Sequence, residues 1–239
     1  MYSAGERPGM DERVREHAEL LVDWSARVEP GDDVVVSVAE DAHELGVAVA
    51  EALGERGATV TPLYGSAELS RAYLKGAEAA DGEDGPEFDD DPAVDRAIFD
   101  AADVYLRIGG GRNTTATADV SSETRQAYAK ARQAVREARM DTDWVSTVHP
   151  TRSLAQQAGM AYEEYREFVY DAVLRDWEAL ADEMARMKTV LDEGDEVRIV
   201  TERDDAPDTD VRMSIAGRTA VNSAASVTYD SHNLPSGEV

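Results

Sequence analysis

The sequence predicts an α/β protein: a mostly parallel sheet flanked by helices, followed by the start of a second, antiparallel β-rich domain. Two observations carry this. Val34-Val35-Val36 is an apolar run of the kind buried on both faces of a parallel sheet, and it sits in a strand–helix–strand order. After Gly194 the texture changes to apolar–polar alternation, the mark of an antiparallel sheet with one wet face.

The elements follow in order. Met10 to Val28 reads as an amphipathic helix with Val14, Ala18, Leu21 and Val22 on one face, broken by Pro30-Gly31-Asp32. A strand over Asp33–Val38 leads to a helix from Ala42 to Arg56, capped by Gly57, and then to a strand over Thr59–Tyr64. That order within so short a stretch describes a crossover unit and parallel pairing. A helix near Ser66–Gly76 precedes Ala80–Pro92, an acidic, glycine-rich stretch expected to be a solvated surface insertion. Alternation resumes with a helix at Ala93–Ala101, a strand at Asp103–Ile108, a helix at Ser121–Arg139 with Ser122 as N-cap, and a strand at Trp144–Val148. Three helices come next, at Thr151–Gln157, Ala161–Leu174 and Asp176–Leu191. Glu196–Thr201 and Asp210–Ala216 read as strands, with a hairpin turn at Gly217-Arg218 and a return strand over Arg218–Asn222. Residues 1–194 therefore form an N-terminal α/β domain, and 195–239 begin a second one that ends early.

Charge sets the chain apart. Fifty acidic residues against 24 basic ones give a formal net charge of -26, and Lys75, Lys130 and Lys188 are the only lysines. A folded chain with this balance repels itself in dilute buffer, and salt near 1 M shortens the Debye length to roughly 3 Å. The expectation is a halophilic cytoplasmic protein from a cell with molar internal salt. The acid excess leaves no basic surface for phosphates, so nucleic acid is excluded as a partner. No apolar run reaches the length of a membrane span, and residues 1–9 hold no signal-peptide core. With no cysteine, disulfides and thiolate metal sites are also excluded.

Few motifs point to chemistry. Gly109-Gly110-Gly111-Arg112-Asn113-Thr114 follows a strand, but Thr114 stands where a dinucleotide fingerprint needs glycine, so a tight structural turn is the better reading. His43-Glu44 lacks a second histidine at helical spacing, since Val47 occupies that place. His17 and His43 read as ordinary helix-surface residues; His149, before Pro150 at a strand end, fits a site or a cap. No serine lies in a nucleophile elbow, and no complete active site is visible.

The most informative wording runs from Met140 to Val169. It includes Asp141-Thr142-Asp143-Trp144-Val145-Ser146-Thr147-Val148-His149-Pro150-Thr151, then Gln156-Gln157-Ala158-Gly159-Met160, then Glu164-Tyr165-Arg166-Glu167-Phe168-Val169. Together with Leu20–Ser25, Val28–Asp32, Trp177, Glu196–Val200 and Ile215–Arg218, it resembles the aminopeptidase T family of thermophilic-type metalloaminopeptidases. The closing Asn233-Leu234-Pro235-Ser236-Gly237-Glu238-Val239 looks like that family's N-x-P-x-G-E-V segment.

The resemblance covers all but the acidic insertion. It implies a metal-dependent aminopeptidase that releases N-terminal residues from peptide substrates with two divalent ions (zinc, cobalt or manganese). Carried over, Glu238 is a metal ligand; the family's other ligands lie in a region this sequence does not contain. The chain is thus expected to be a fragment, the front part of the family chain, inactive alone, and paired as a homodimer or with a complementing C-terminal polypeptide. Two other readings stand beside this one. One is a small-ligand-binding α/β module using the strand ends at Gly109–Asn113 and His149–Thr151; the other is a non-catalytic assembly subunit.

Overall fold

A run of valines puts one strand at the centre of the sheet. In a computed structural model of the chain, residues 9–80, 86–202 and 208–239 are described. Strand β1 (Asp33–Ala39) turns Val34, Val36 and Val38 to one face and Val35 to the other, and all four are buried. β2 (Thr59–Gly65), β3 (Val104–Gly109) and β4 (Asp143–Val148) join it, every pairing parallel. β5 (Glu196–Thr201) and β6 (Thr209–Ser214) form a separate antiparallel ribbon. A short β7 (Asn233–Leu234) returns to pair parallel with β4, so the five-stranded sheet has the order β2-β1-β3-β4-β7.

Helices cover both faces of this sheet. On the Val34 side lie α1 (Glu12–Leu20), the π-helical turn Leu21–Ser25, α2 (His43–Arg56) and α8 (Tyr162–Val173). Asp11 caps α1 by accepting the Arg13 amide at 3.1 Å, and Gly57 ends α2 in the left-handed region (φ 80°). Gly46 lets α2 lie directly on β1: a Cβ there would stand 2.9 Å from Val38 Cγ1. Each large aliphatic side chain buried in this layer contributes about 1.5–3 kcal/mol.

On the opposite face, Phe99 of α4 (Ala93–Asp100) and Val135 of α6 (Gln133–Met140) pack on Val35 and Tyr105. α3 (Ala67–Ala80) and α5 (Ser122–Ala131) lie further out, joined through Tyr73, Phe88 and Tyr128, with ring centroids 5.2–6.0 Å apart. Phe88 belongs to the acidic stretch 80–92. Residues 81–85 of it lie outside the described residues, Asp89–Asp91 are exposed, and Phe88 is half-buried against two tyrosines.

α7 (Arg152–Ala158) and α9 (Trp177–Asp192) complete the helices.

Three expectations are corrected. The helix read over Ser121–Arg139 is two, α5 and α6, separated at Arg132. Its N-cap is Ser121 and not Ser122, because the Ser121 hydroxyl accepts the Thr124 amide at 3.1 Å. The turn at Gly217 exists, with Arg218 N donating to Ile215 O at 3.0 Å, but no return strand follows. β6 instead pairs back on β5, because Val197 and Ile199 meet Met213 and Val211 on one face while Arg198–Asp210 and Arg212–Glu196 ion pairs form on the other.

The last stretch of chain runs back over the first. Trp24 Nε1 donates to the Ala224 carbonyl at 2.9 Å, Ser226 Oγ donates to the Trp24 carbonyl at 2.6 Å, and Val227 N donates to the Ser25 carbonyl at 2.8 Å. The π-helical turn leaves those carbonyls free for such partners.

Candidate functional site

Glu238 sits in a segment held more firmly than its terminal position suggests. Leu234 of β7 is buried and pairs in register with Thr147. Beyond it, Gly237 N donates to Ser223 O at 2.8 Å, and Ser223 N donates to Glu238 O at 3.0 Å. Gly237 has φ 109°, and a Cβ on it would approach Leu180 Cδ2 of α9 to 3.1 Å, so only glycine lets the turn lie so close to that helix. The Glu238 backbone is thereby fixed while its carboxylate faces solvent.

Behind this segment is a buried relay. His17 is fully buried, which corrects its reading as a surface residue: it lies among Val14, Ala18 and Leu21 on the buried stripe of α1. Its Nε2 is 2.9 Å from Thr147 Oγ1, and Thr147 Oγ1 donates to the Leu234 carbonyl at 2.8 Å. Since the threonine has one proton and donates it in the bond to Leu234, His17 donates from Nε2. Burial pushes its pKa down to about 3, helped by the nearby His149. His149 is itself buried and is pushed down to about 4, burial outweighing the attraction of Asp41. The Nδ1 atoms of both rings are buried without a partner among the described residues. His43 is exposed and 2.9 Å from Tyr64 Oη, in keeping with its reading as a surface residue.

A second feature lies at the carboxyl ends of the central strands. Gly110 (φ 139°) makes a tight turn, where a Cβ would stand 3.1–3.3 Å from Thr151, the His149 carbonyl and Ala42. Arg112 N donates to Glu40 Oε1 at 3.0 Å, and Arg112 Nε to Asp41 Oδ1 at 2.8 Å. The Ser66 hydroxyl and the Arg112 amide hold the Glu40 carboxyl below its usual range. The glycine run is thus a structural turn that joins the ends of β1, β3 and β4. Arg107 in β3, a charge inside an otherwise apolar strand, is a signal in the sequence that the reading of the glycine run passed over.

Among the described residues no group of three His, Asp or Glu side chains could hold an ion, and Glu238 offers a single carboxylate. A catalytic zinc commonly takes three protein ligands, two more than Glu238 alone provides.

A family profile described as thermophilic metalloprotease (M29) matches residues 10–239. The chain belongs to the M29 family. That bears out the resemblance to aminopeptidase T drawn from residues 140–169 and the closing segment. Among solved structures, wild-type AmpT from Thermus thermophilus is 21% identical with a TM-score of 0.66, covering 94% of this chain and 59% of that chain. At that identity the likeness shows the shared α/β fold, and the M29 chain described here spans about 59% of that relative's length. An apo cysteine desulfurase from Thermococcus onnurineus NA1 is 10% identical with a TM-score of 0.32, over 59% of this chain and 28% of that chain; it carries no argument. No curated protein matches the sequence. Among the described residues no helix is long and apolar enough to cross a membrane.

Proposed function

We propose that this M29 chain is the α/β portion of a metal-dependent aminopeptidase, acting on peptides to release their N-terminal residues. The observation that carries the reading is the family match over residues 10–239. Glu238 would give one carboxylate to a centre of two divalent ions (zinc, cobalt or manganese), and the remaining ligands would come from outside residues 1–239. The two hydrogen bonds between Ser223 and the Gly237-Glu238 backbone support that role, because a ligand must be aimed before it binds. The α/β portion would then shape the substrate entrance and the contacts of a homodimer or of a complementing polypeptide. Cytoplasmic work in molar salt fits the charge of -26.

The test is release of leucine from leucine para-nitroanilide in molar KCl, with zinc, cobalt and manganese each added. The chain alone should show no turnover while circular dichroism shows it folded. Co-expression with a polypeptide carrying the rest of an M29 chain should restore activity, and Glu238→Ala should abolish it. Turnover by the chain alone would overturn the need for a complement. Restored activity that survives Glu238→Ala would remove the ligand assignment.

A further inference from the structure

A cavity of about 290 Å³ opens at the carboxyl ends of β2, β1 and β3, bounded by Ala39, Ser66 and the Gly109–Gly111 turn. Its place follows from topology. The chain leaves β1 through α2, on the face of Val34, and leaves β3 toward α6, on the face of Val35, so the two connections part on opposite sides of the sheet. Open parallel sheets hold ligands at such a parting.

Ser37 and Arg107 give the cavity a polar part, and they stand side by side in register on β1 and β3, with Ser146 next to Arg107 on β4 outside the lining. Arg107 is exposed; its Nη1 donates to Ser146 Oγ at 3.3 Å, and no carboxylate pairs with it among the described residues. In a chain with 50 acidic residues, an arginine set among serines leaves its guanidinium free for an outside oxyanion. At the rim, Glu40 is held by the Arg112 amide and the Ser66 hydroxyl.

We propose that this cavity binds a free α-amino acid, with its carboxylate on Arg107 and the neighbouring serine hydroxyls and its ammonium on Glu40. A simple anion is disfavoured: the chain carries a net charge of -26, and Glu40, Asp41 and Glu68 gather around Arg112. A zwitterion meets the Arg107 guanidinium in the cavity and, beside its lining residues Ser66 and Gly111, the Glu40 carboxylate. The volume suits a small ligand and excludes a dinucleotide. The inference does not rest on the peptidase reading, because Glu238 follows β7, at the sheet edge beyond β4.

The experiment is calorimetric titration of this chain with L-leucine in molar KCl and EDTA, which leaves any metal chemistry aside. Saturable binding is expected, weakened at least tenfold for leucinamide, which lacks the carboxylate, and for 4-methylpentanoate, which lacks the ammonium. Arg107→Met should weaken leucine at least tenfold. So should Ser70→Leu, which fills the mouth from the exposed side of α3 and leaves the sheet untouched. Absence of saturable leucine binding would overturn the proposal, as would affinity unchanged in both variants. Binding of inorganic phosphate in place of leucine would also overturn it, by making the cavity a plain anion site.

Discussion

His17 Nε2 lies 2.9 Å from Thr147 Oγ1, and that hydroxyl donates to the Leu234 carbonyl at 2.8 Å, so one neutral imidazole ties α1 to β4 and β7. Burial disfavours a charge on the ring, and that gives stability a pH dependence. An exposed histidine binds a proton near pH 6.5, whereas buried His17 does so near 3. As pH falls the unfolded chain takes up the proton first, so stability is full above about 6.5 and is lost as pH drops toward 3. At pH 5 the loss from His17 is about 2 kcal/mol. His149, pushed down to about 4, adds a second step in the same window. His17→Gln keeps an N–H donor and removes one titration, so the histidine-linked fall in the urea midpoint between pH 7 and 5 should roughly halve. An unchanged pH profile would mean that His17 is not the buried neutral group described.

Trp24 makes a second tie between the chain's two ends. Its indole N–H donates to the Ala224 carbonyl at 2.9 Å, and its ring stacks on Tyr229 at 6.0 Å. Trp24→Phe keeps the stacking and leaves that carbonyl without its donor. Urea unfolding in molar KCl should show a loss of about 1–2 kcal/mol. Tyr229→Phe, which keeps the ring, should cost well under half as much.

Much of this fold could be read from the sequence, for physical reasons that also explain the misses. The valine run of β1, the glycine after α2 and the Pro30-Gly31-Asp32 break are local signals, and the elements around them stand where those signals put them. His17 was misjudged because residue type was weighed over position: it is three residues from Val14 and four from Leu21, squarely on the apolar stripe. β7 is only two residues long and exists because Thr147 and Ser146 offer it a free edge, which no local pattern encodes. The return strand over 218–222 failed for a like reason, since the partner of β6 lies earlier in the chain. Glu238 as a ligand came only from the family's closing segment; its surroundings alone mark it as a surface acid.

The cap of α5 separates two adjacent serines. Ser121 Oγ accepts the Thr124 amide at 3.1 Å and reaches Thr124 Oγ1 at 2.9 Å, while Ser122 is already inside the helix and exposed. Ser121→Ala should therefore cost about 1 kcal/mol in urea unfolding. Ser122→Ala should stay within about 0.5 kcal/mol of the parent. Equal losses, or the reverse order, would return the cap to Ser122.

Salt should be the largest single influence on this chain's stability. If every one of the 24 basic residues were paired, 26 of the 50 acidic ones would still have no counterpart. Visible pairs such as Arg198–Asp210 and Arg96–Asp91 are exposed, and salt weakens them, but each contributes little. The unpaired acids repel over a Debye length of about 10 Å at 0.1 M and about 3 Å at 1 M, so screening removes more repulsion than attraction. The urea midpoint should rise steadily from 0.1 to 2 M KCl. Asp89→Asn with Asp90→Asn thins an exposed acidic run while keeping an Oδ1 to accept the Asp91 amide beside the Asp91–Arg96 pair. That change should raise the midpoint at 0.1 M and leave it nearly unchanged at 2 M. A midpoint flat or falling with KCl would show that the excess acids are not what limits folding, and would remove the argument for a salt-rich cell.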